Sequence, residues 1–233
     1  MERSARPDRP RAVVLASGGM DSCVLVALAR QEHEVALLHA NYGQRTVARE
    51  KRAFDAIADF YGVPVARRLT VDLAHLAAIG GSCLTDPAIA VPEGQLDHEG
   101  IPISYVPFRN ANLLAAATAW GEVLGATRIF FGAMEEDSSG YPDCRGVFIE
   151  AFNRVIATGT RPETRLEVIA PLLHLSKPDV VRLGSRLGAP FGLTWSCYER
   201  EDAACGRCDS CLLRLRGFRE AGVPDPIPYA HVL

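Results

Sequence analysis

Four cysteines crowd one short stretch with the spacing Cys197-x7-Cys205-x2-Cys208-x2-Cys211. Thiols so placed can converge as four thiolates of a tetrahedron. Zn²⁺ in such a closed site has no open position for a substrate, so the site is structural, with one ion per chain. Gly206 allows the turn between Cys205 and Cys208 to aim backbone N–H groups at sulfur. An iron–sulfur cluster is the rival occupant, but its usual run has a further cysteine after three residues with a proline beside it, and both are missing here. Clustered cysteines also form disulfides in oxidising compartments. Residues 1–11 lack the apolar run of a secretory leader, so the chain is expected in the cytoplasm and the cluster is read as metal-binding. Cys23, Cys83 and Cys144 are read as non-ligands.

The second chemistry-bearing pattern is SGGMDS at residues 17–22. Gly18 and Gly19 permit a tight turn whose N–H groups can approach a ligand closely. A helix starting near Asp21 adds unpaired N–H groups and the positive end of its dipole, which suit phosphate. Ser17 and Ser22 supply hydroxyls. Asp21 repels phosphate, so its expected roles are capping the helix or holding Mg²⁺. No Gly-Lys-Ser/Thr follows, as in a Walker loop, and the third glycine of a dinucleotide fingerprint is missing.

The elements around these patterns alternate. An apolar run at 12–16 predicts a strand ending in the loop, with a helix from 23 to 30 after it. Residues 34–40 and 63–71 read as strands, with an amphipathic helix at 47–61 between them. Helices are expected at 112–124, 146–156 and from Ser176 (an N-cap, with Gly188 past the end), and strands at 128–132 and 168–171. Alternation of this kind implies a parallel sheet with helices on both faces. Residues 80–107 are rich in Gly and Pro without a clear period, and predict a long loop or lid with a short hairpin.

Hydrophobic residues make up 48% and charged residues 23% of the 233, a profile that supports one soluble core without disulfides. No window has the ~18 apolar residues of a membrane span. A net charge of −3 argues against a general grip on nucleic acid or anionic membrane. Among 25 basic residues only Lys51 and Lys177 are lysines, which singles out a lysine in a helix's first turn, where the dipole already favours anions.

The pattern SGGxDS after the first strand resembles the PP-loop ATP pyrophosphatases, which cleave ATP between the α- and β-phosphates. YVPFRNAN at 105–112, SGYPDCR at 139–145, LSKP at 175–178 and CGRCDSC at 205–211 narrow the resemblance to the 7-cyano-7-deazaguanine synthases of queuosine precursor synthesis. It runs from about residue 12 to residue 220. The chain departs at Met20, where many members carry glutamine, and at Phe108, where a small residue is common.

The resemblance implies an open parallel sheet with helices on both faces, of the PP-loop, adenine nucleotide alpha hydrolase-like kind, over residues 12–190. A small C-terminal four-cysteine zinc knuckle would occupy 191–233, and residues 1–11 a disordered tail. Ala16, Ser17, Gly18, Gly19, Met20, Asp21, Ser22, Cys23, Val24, Leu25 and Val26 would form the ATP-binding segment. Asp21, Arg109 and Lys177 would carry the chemistry, Lys177 by neutralising the departing pyrophosphate. Arg109 can hold a carboxylate or the ATP phosphates through its planar fork. Glu135, Tyr141, Asp143 and Arg145, with Arg109, would contact the deazapurine, and Phe108 is a second ring able to stack. The implied substrates are 7-carboxy-7-deazaguanine, ammonia and ATP with Mg²⁺. No nucleic-acid or membrane partner is expected, and the implied assembly is a homodimer. A paralogue attaching a deazaguanine or sulfur to another acceptor shares the loop, but a thiolase needs a persulfide cysteine near it, and the sequence around Cys144 and Cys23 does not mark either for that role.

Overall fold

A computed structural model describes residues 9–94, 100–135 and 140–231. Ala12 to Leu15 are all apolar, and a strand of that composition needs cover on both faces. It lies at the centre of the sheet. β1 (Arg11–Leu15) pairs with β2 (Glu34–Asn41) on one side and β4 (Arg128–Phe130) on the other; β3 (Arg68–Asp72) lies beyond β2 and β5 (Glu167–Ile169) beyond β4. Every pairing is parallel. The helices are α1 (Met20–Ala29), α2 (Val47–Phe60), α3 (His75–Ile79), α4 (Arg109–Leu124), α5 (Gly146–Gly159), α6 (Lys177–Arg186) and α7 (Asp209–Ala221).

Side chains of β1 alternate between two cores. Ala12 and Val14 join residues of α1, α2, α6 and α7, whereas Val13 and Leu15 join α4 and α5. Helices therefore cover both faces, as the alternation of elements implies. The strand order β3-β2-β1-β4-β5 changes direction between β1 and β4. Open parallel sheets bind ligands in the crevice at the carboxyl ends beside such a switch. The loop of residues 17–22 leaves β1 at that place.

Several boundaries differ from the sequence reading, each for a local reason. β1 begins at Arg11, inside the stretch read as a tail, because Arg11 pairs with Glu34 in register; residues 1–8 of that stretch lie outside the described residues. Pro64 leads into a 3₁₀ turn at Val65–Arg67, so β3 starts at Arg68 and not at residue 63. No hairpin occurs in 80–107 among the described residues; α3 precedes this loop, and Glu93 makes one isolated antiparallel bridge to Cys208. Helix α4 starts at Arg109, three residues earlier than its apolar pattern suggests. Phe108 adopts a left-handed φ of 56° at the cap, and the Asp143 carboxylate accepts the first-turn N–H of Asn110 at 3.0 Å. That cap comes from a distant turn. Ser176 caps α6 as expected, accepting the N–H of Asp179. Of residues 191–231, α7 packs along α6, and Phe218 enters the same core as α1.

His39 on β2 is 1% exposed and packs against Phe54, with ring centroids 5.0 Å apart. A carbonyl can only accept, so the 3.1 Å contact with Ala16 O puts the proton on Nδ1. Nε2 then has no partner among the described residues. Burial pushes the His39 pKa below its ordinary 6.5; the bond to Ala16 and Asp55 act the other way, and Lys51 reinforces burial. The native state resists a proton that the unfolded chain accepts. Stability is thus complete above pH 6.5 and falls below it, by at most about 1.4 kcal/mol per pH unit, as pH drops towards the depressed native value. Urea midpoints between pH 7.5 and 5 should show this slope, and His39→Gln should flatten it.

Candidate active site

The loop is built largely from its own atoms. Gly19 N–H donates to Ser17 Oγ (3.1 Å), Ser22 Oγ–H donates to Gly19 O (2.9 Å), and the two serine hydroxyls meet at 3.3 Å. Gly18 has φ 92°, and a Cβ there would stand 2.6 Å from Glu50 O, so the loop lies flat on the start of α2. From the other side Trp195 N–H donates to Gly18 O at 2.9 Å. Gly19 caps α1 without a side-chain bond, which leaves first-turn N–H groups for an anion. Asp21 does not cap the helix. Its carboxylate pairs with Lys177 Nζ at 3.0 and 3.1 Å.

A cavity of about 590 Å³ opens over the loop and the ends of β1 and β2. Ala16, Ser17, Gly19, Met20, Asp21 and Ser22 line its floor. Lys177 reaches it from α6 and Arg109 from α4, and Tyr141 comes from the turn before α5. Only 8% of the Lys177 side chain is exposed, and its stem passes directly beneath α7. A Cβ on Gly217 would stand 2.4 Å from Lys177 Cγ and 3.2 Å from its Cβ. Gly217→Ala is therefore expected to displace Lys177 and cost about 1–3 kcal/mol by overpacking. A drop in urea midpoint together with a drop in turnover checks this; an unchanged midpoint contradicts it.

Arg109 donates to Tyr42 Oη (3.2 Å) and lies over the Tyr42 ring, 5.2 Å from its centroid. Its remaining contacts go to Asn110 Oδ1, and it has no carboxylate partner within salt-bridge distance among the described residues. The guanidinium is thus available to an anionic ligand. Burial pushes the Tyr42 hydroxyl up to about 12, so it remains a neutral acceptor. Asp143 is 2% exposed, and its two carboxylate oxygens take the backbone and side-chain N–H groups of Asn110 (3.0 and 3.1 Å). It fixes the start of α4 and hence Arg109. Tyr141 Oη and Ser104 Oγ meet at 2.7 Å.

Other sequence candidates sit elsewhere. Cys23, Val24, Leu25 and Val26 are fully buried core of α1 and are absent from the cavity wall. Glu135 accepts from Gly146 N–H and pairs with His174, while Arg145 is exposed and donates to Pro142 O. Neither lines the cavity, nor does Asp143. Phe108 is 62% exposed and meets Phe148 edge-on. Ser139 lies outside the described residues. Tyr42 and Asn110 also line the cavity, and Glu50, Ser104, Trp195 and Tyr198 face it without having stood out in the sequence.

The sulfur atoms of Cys197, Cys205, Cys208 and Cys211 lie within 4.8 Å of one another, and all four residues are buried. Backbone N–H groups of Glu199, Arg200 and Cys205 point at Cys197 Sγ, and those of Arg207 and Cys208 at Cys205 Sγ. A thiolate-stabilising, closed, all-sulfur set of this kind fits Zn²⁺. Cys23, Cys83 and Cys144 stand outside it.

A sequence profile of the family described as "Queuosine biosynthesis protein QueC" matches residues 11–222. A protein of Koribacter versatilis (strain Ellin345) named 7-cyano-7-deazaguanine synthase is 56% identical over 97% of this chain and 95% of its own length. A protein of the same name from Chlorobaculum parvum (strain DSM 263 / NCIMB 8327) is 55% identical over 94% of this chain and 96% of its own. Among solved structures, an NAD+ synthetase from Burkholderia pseudomallei is 17% identical over 93% of this chain and 75% of that one, with a TM-score of 0.46.

Proposed function

The chain belongs to the QueC family, and on that premise we propose that it converts 7-carboxy-7-deazaguanine and ammonia into 7-cyano-7-deazaguanine at the expense of ATP, in the cytoplasm. The observation that carries this reading is the relationship to synthases of that name, at more than half identity over nearly the whole chain. The cavity supports it, because it brings an anion-binding loop, Lys177 and Arg109 to one place.

A carboxylate is a poor electrophile because oxide is a poor leaving group. Its oxygen attacks the α-phosphorus of ATP, pyrophosphate departs, and an acyl adenylate forms. Ammonia attacks the carbonyl carbon and AMP leaves, giving the amide. A second ATP adenylates the amide oxygen, and loss of AMP and protons leaves the nitrile. The first-turn N–H groups and the Lys177 ammonium stabilise charge on pyrophosphate as it departs. Arg109 holds the substrate carboxylate through its fork. Asp21 is the loop carboxylate that would hold Mg²⁺, which supplies further charge neutralisation on the phosphates. Cys197, Cys205, Cys208 and Cys211 would hold one structural Zn²⁺. Mass spectrometry of a reaction with 7-carboxy-7-deazaguanine, ATP, Mg²⁺ and ammonium tests the assignment, and absence of the nitrile rejects it.

The assembly we propose is a homodimer through the outer faces of α4 and α5. On α4 the outward residues Ala115, Ala119 and Val123 carry no charge, and Val123 is 77% exposed. Val147 and Val155 of α5 are 65% and 58% exposed, on either side of the small Ala151. Single exposed apolar residues are ordinary, but their recurrence on two helices covering one face of the sheet supports an interface there. An antiparallel pairing of α5 with its twofold copy places exposed Glu150 opposite exposed Arg154, so the surface is self-complementary. Sedimentation velocity should show Glu150→Arg dissociating and Glu150→Arg/Arg154→Glu reassociating. A monomeric parent would exclude the dimer.

A further inference from the structure

The cavity is built for anions, with loop N–H groups, Lys177 and Arg109 converging on it, yet Glu50 also lines it. The Glu50 carboxylate accepts from Gln44 Nε2 at one oxygen and from Thr46 Oγ1 at the other, both at 3.0 Å. These donors are neutral and buried, at 4% and 1% exposure. No cationic side chain comes within salt-bridge distance of Glu50 among the described residues. The carboxylate is therefore fixed in position without a contact ion pair, Arg109 acting on it only from beyond salt-bridge distance. Such an arrangement is costly to stability and suits a cationic ligand.

The surroundings say where that ligand would sit. Glu50 belongs to the turn of α2 on which Gly18 rests, so it borders the loop. Gln44 also donates to Ala40 O (3.3 Å) and accepts Tyr42 N–H (2.9 Å), while the Tyr42 hydroxyl accepts from Arg109 (3.2 Å). One short segment thus links the carboxylate to the guanidinium assigned to the substrate's carboxyl group. We propose that Glu50 receives the ammonium substrate and takes a proton from it beside the activated carboxyl carbon.

The proposal rests on the synthase reading above. Ammonium has no lone pair, so one proton must leave before nitrogen can attack. Glu50 accepts that proton, and nitrogen then forms its bond to the carbonyl carbon. The carbon–oxygen bond to AMP breaks with its electron pair on AMP, and a second proton leaves nitrogen for solvent. Burial pushes the Glu50 pKa up, opposed by the bonds from Gln44 and Thr46 and by Arg109, with Tyr42 the other titratable neighbour. A native pKa above the unfolded one means the ionised carboxylate weakens the fold at neutral pH. Glu50→Gln is expected to melt no lower than the parent.

The test uses the full chain and separates the two nitrogen nucleophiles from the adenylation step. Exchange of labelled pyrophosphate into ATP, dependent on 7-carboxy-7-deazaguanine and run without ammonium, should change by less than about twofold in Glu50→Gln. The kcat/KM for ammonium should fall by about 100-fold or more, the scale of a lost general base. Hydroxylamine, largely unprotonated at neutral pH, should trap the adenylate as hydroxamate at close to the parent rate. Glu50→Asp should recover part of the ammonium kinetics, and its own deficit carries the test if Glu50→Gln folds poorly. Unchanged ammonium kinetics, or equal loss with hydroxylamine, overturns the proposal. Loss of exchange with a raised Mg²⁺ requirement overturns it in favour of a metal ligand. A parent without exchange rejects the synthase reading itself.

Discussion

Replacing Lys177 with methionine is expected to lower kcat for nitrile formation by about two to three orders of magnitude, with little change in melting temperature. Removing one preorganised donor from a site of developing charge costs rates on that scale. The methionine retains the unbranched stem that fits beneath Gly217 and the contact near Met134 Sδ, 3.7 Å from the present ammonium. Asp21, left without its partner, is 31% exposed at its side chain and keeps water for compensation. What disappears is the one lysine ammonium lining the cavity, buried between α6, α7 and the loop. The charge it meets grows as pyrophosphate departs, so kcat and kcat/KM should fall together while the affinity for 7-carboxy-7-deazaguanine holds. Steady-state kinetics with both substrates varied, beside a thermal melt, measure this. A decrease of less than threefold would remove Lys177 from the chemistry.

The parts of the fold that sequence makes legible are those written in contiguous residues. The apolar run of β1, the glycine loop after it, the Ser176 cap and the spacing of the four cysteines all lead to observed features. Each depends on local backbone conformation or on a metal-ligand spacing. The site is less legible because contiguity in sequence is not contiguity with the cavity. Cys23 to Val26 follow the loop directly, yet α1 is apolar nearly all round and its helical turn carries them into the core. Trp195 reaches Gly18 from the far end of the chain through a backbone N–H, a contact that leaves no side-chain signature. Glu50 stands in the first turn of α2, where acidic residues are common because the dipole favours them, so its type and position reveal nothing further. Asp143 shows a related limit. Its segment marks it as functional, but its carboxylate is spent on the N–H groups of Asn110, and its effect on a ligand passes through Arg109.

Cys208→Ser is expected to release zinc and lower the melting temperature by about 10 °C or more, with the loss of ATP binding following from the same cause. In a chain of this size each kcal/mol moves the midpoint by about 2–4 °C, and a structural zinc site contributes folding free energy outright. The cluster is not insulated from the cavity. Thr46, which donates to Glu50, is also 3.3 Å from Cys197 O, and the strand-like segment after Leu193 carries Trp195 to the loop before it reaches Cys197. On the far side the chain is latched by Arg214, 1% exposed, whose guanidinium binds Asp225 at 2.7 and 2.8 Å and Thr194 at 2.7 Å. Serine retains the volume of the thiol but offers a weaker zinc ligand, and the other three sulfurs are too crowded to remain close as thiolates without a cation. Repulsion among them should open the knuckle, loosen Trp195 and free the underside of Gly18. Metal analysis, a thermal melt and ATP titration of one preparation read the three consequences in order. A zinc-free variant with parental melting and parental ATP affinity would mean that the latch at Arg214, and not the metal, holds the loop in place.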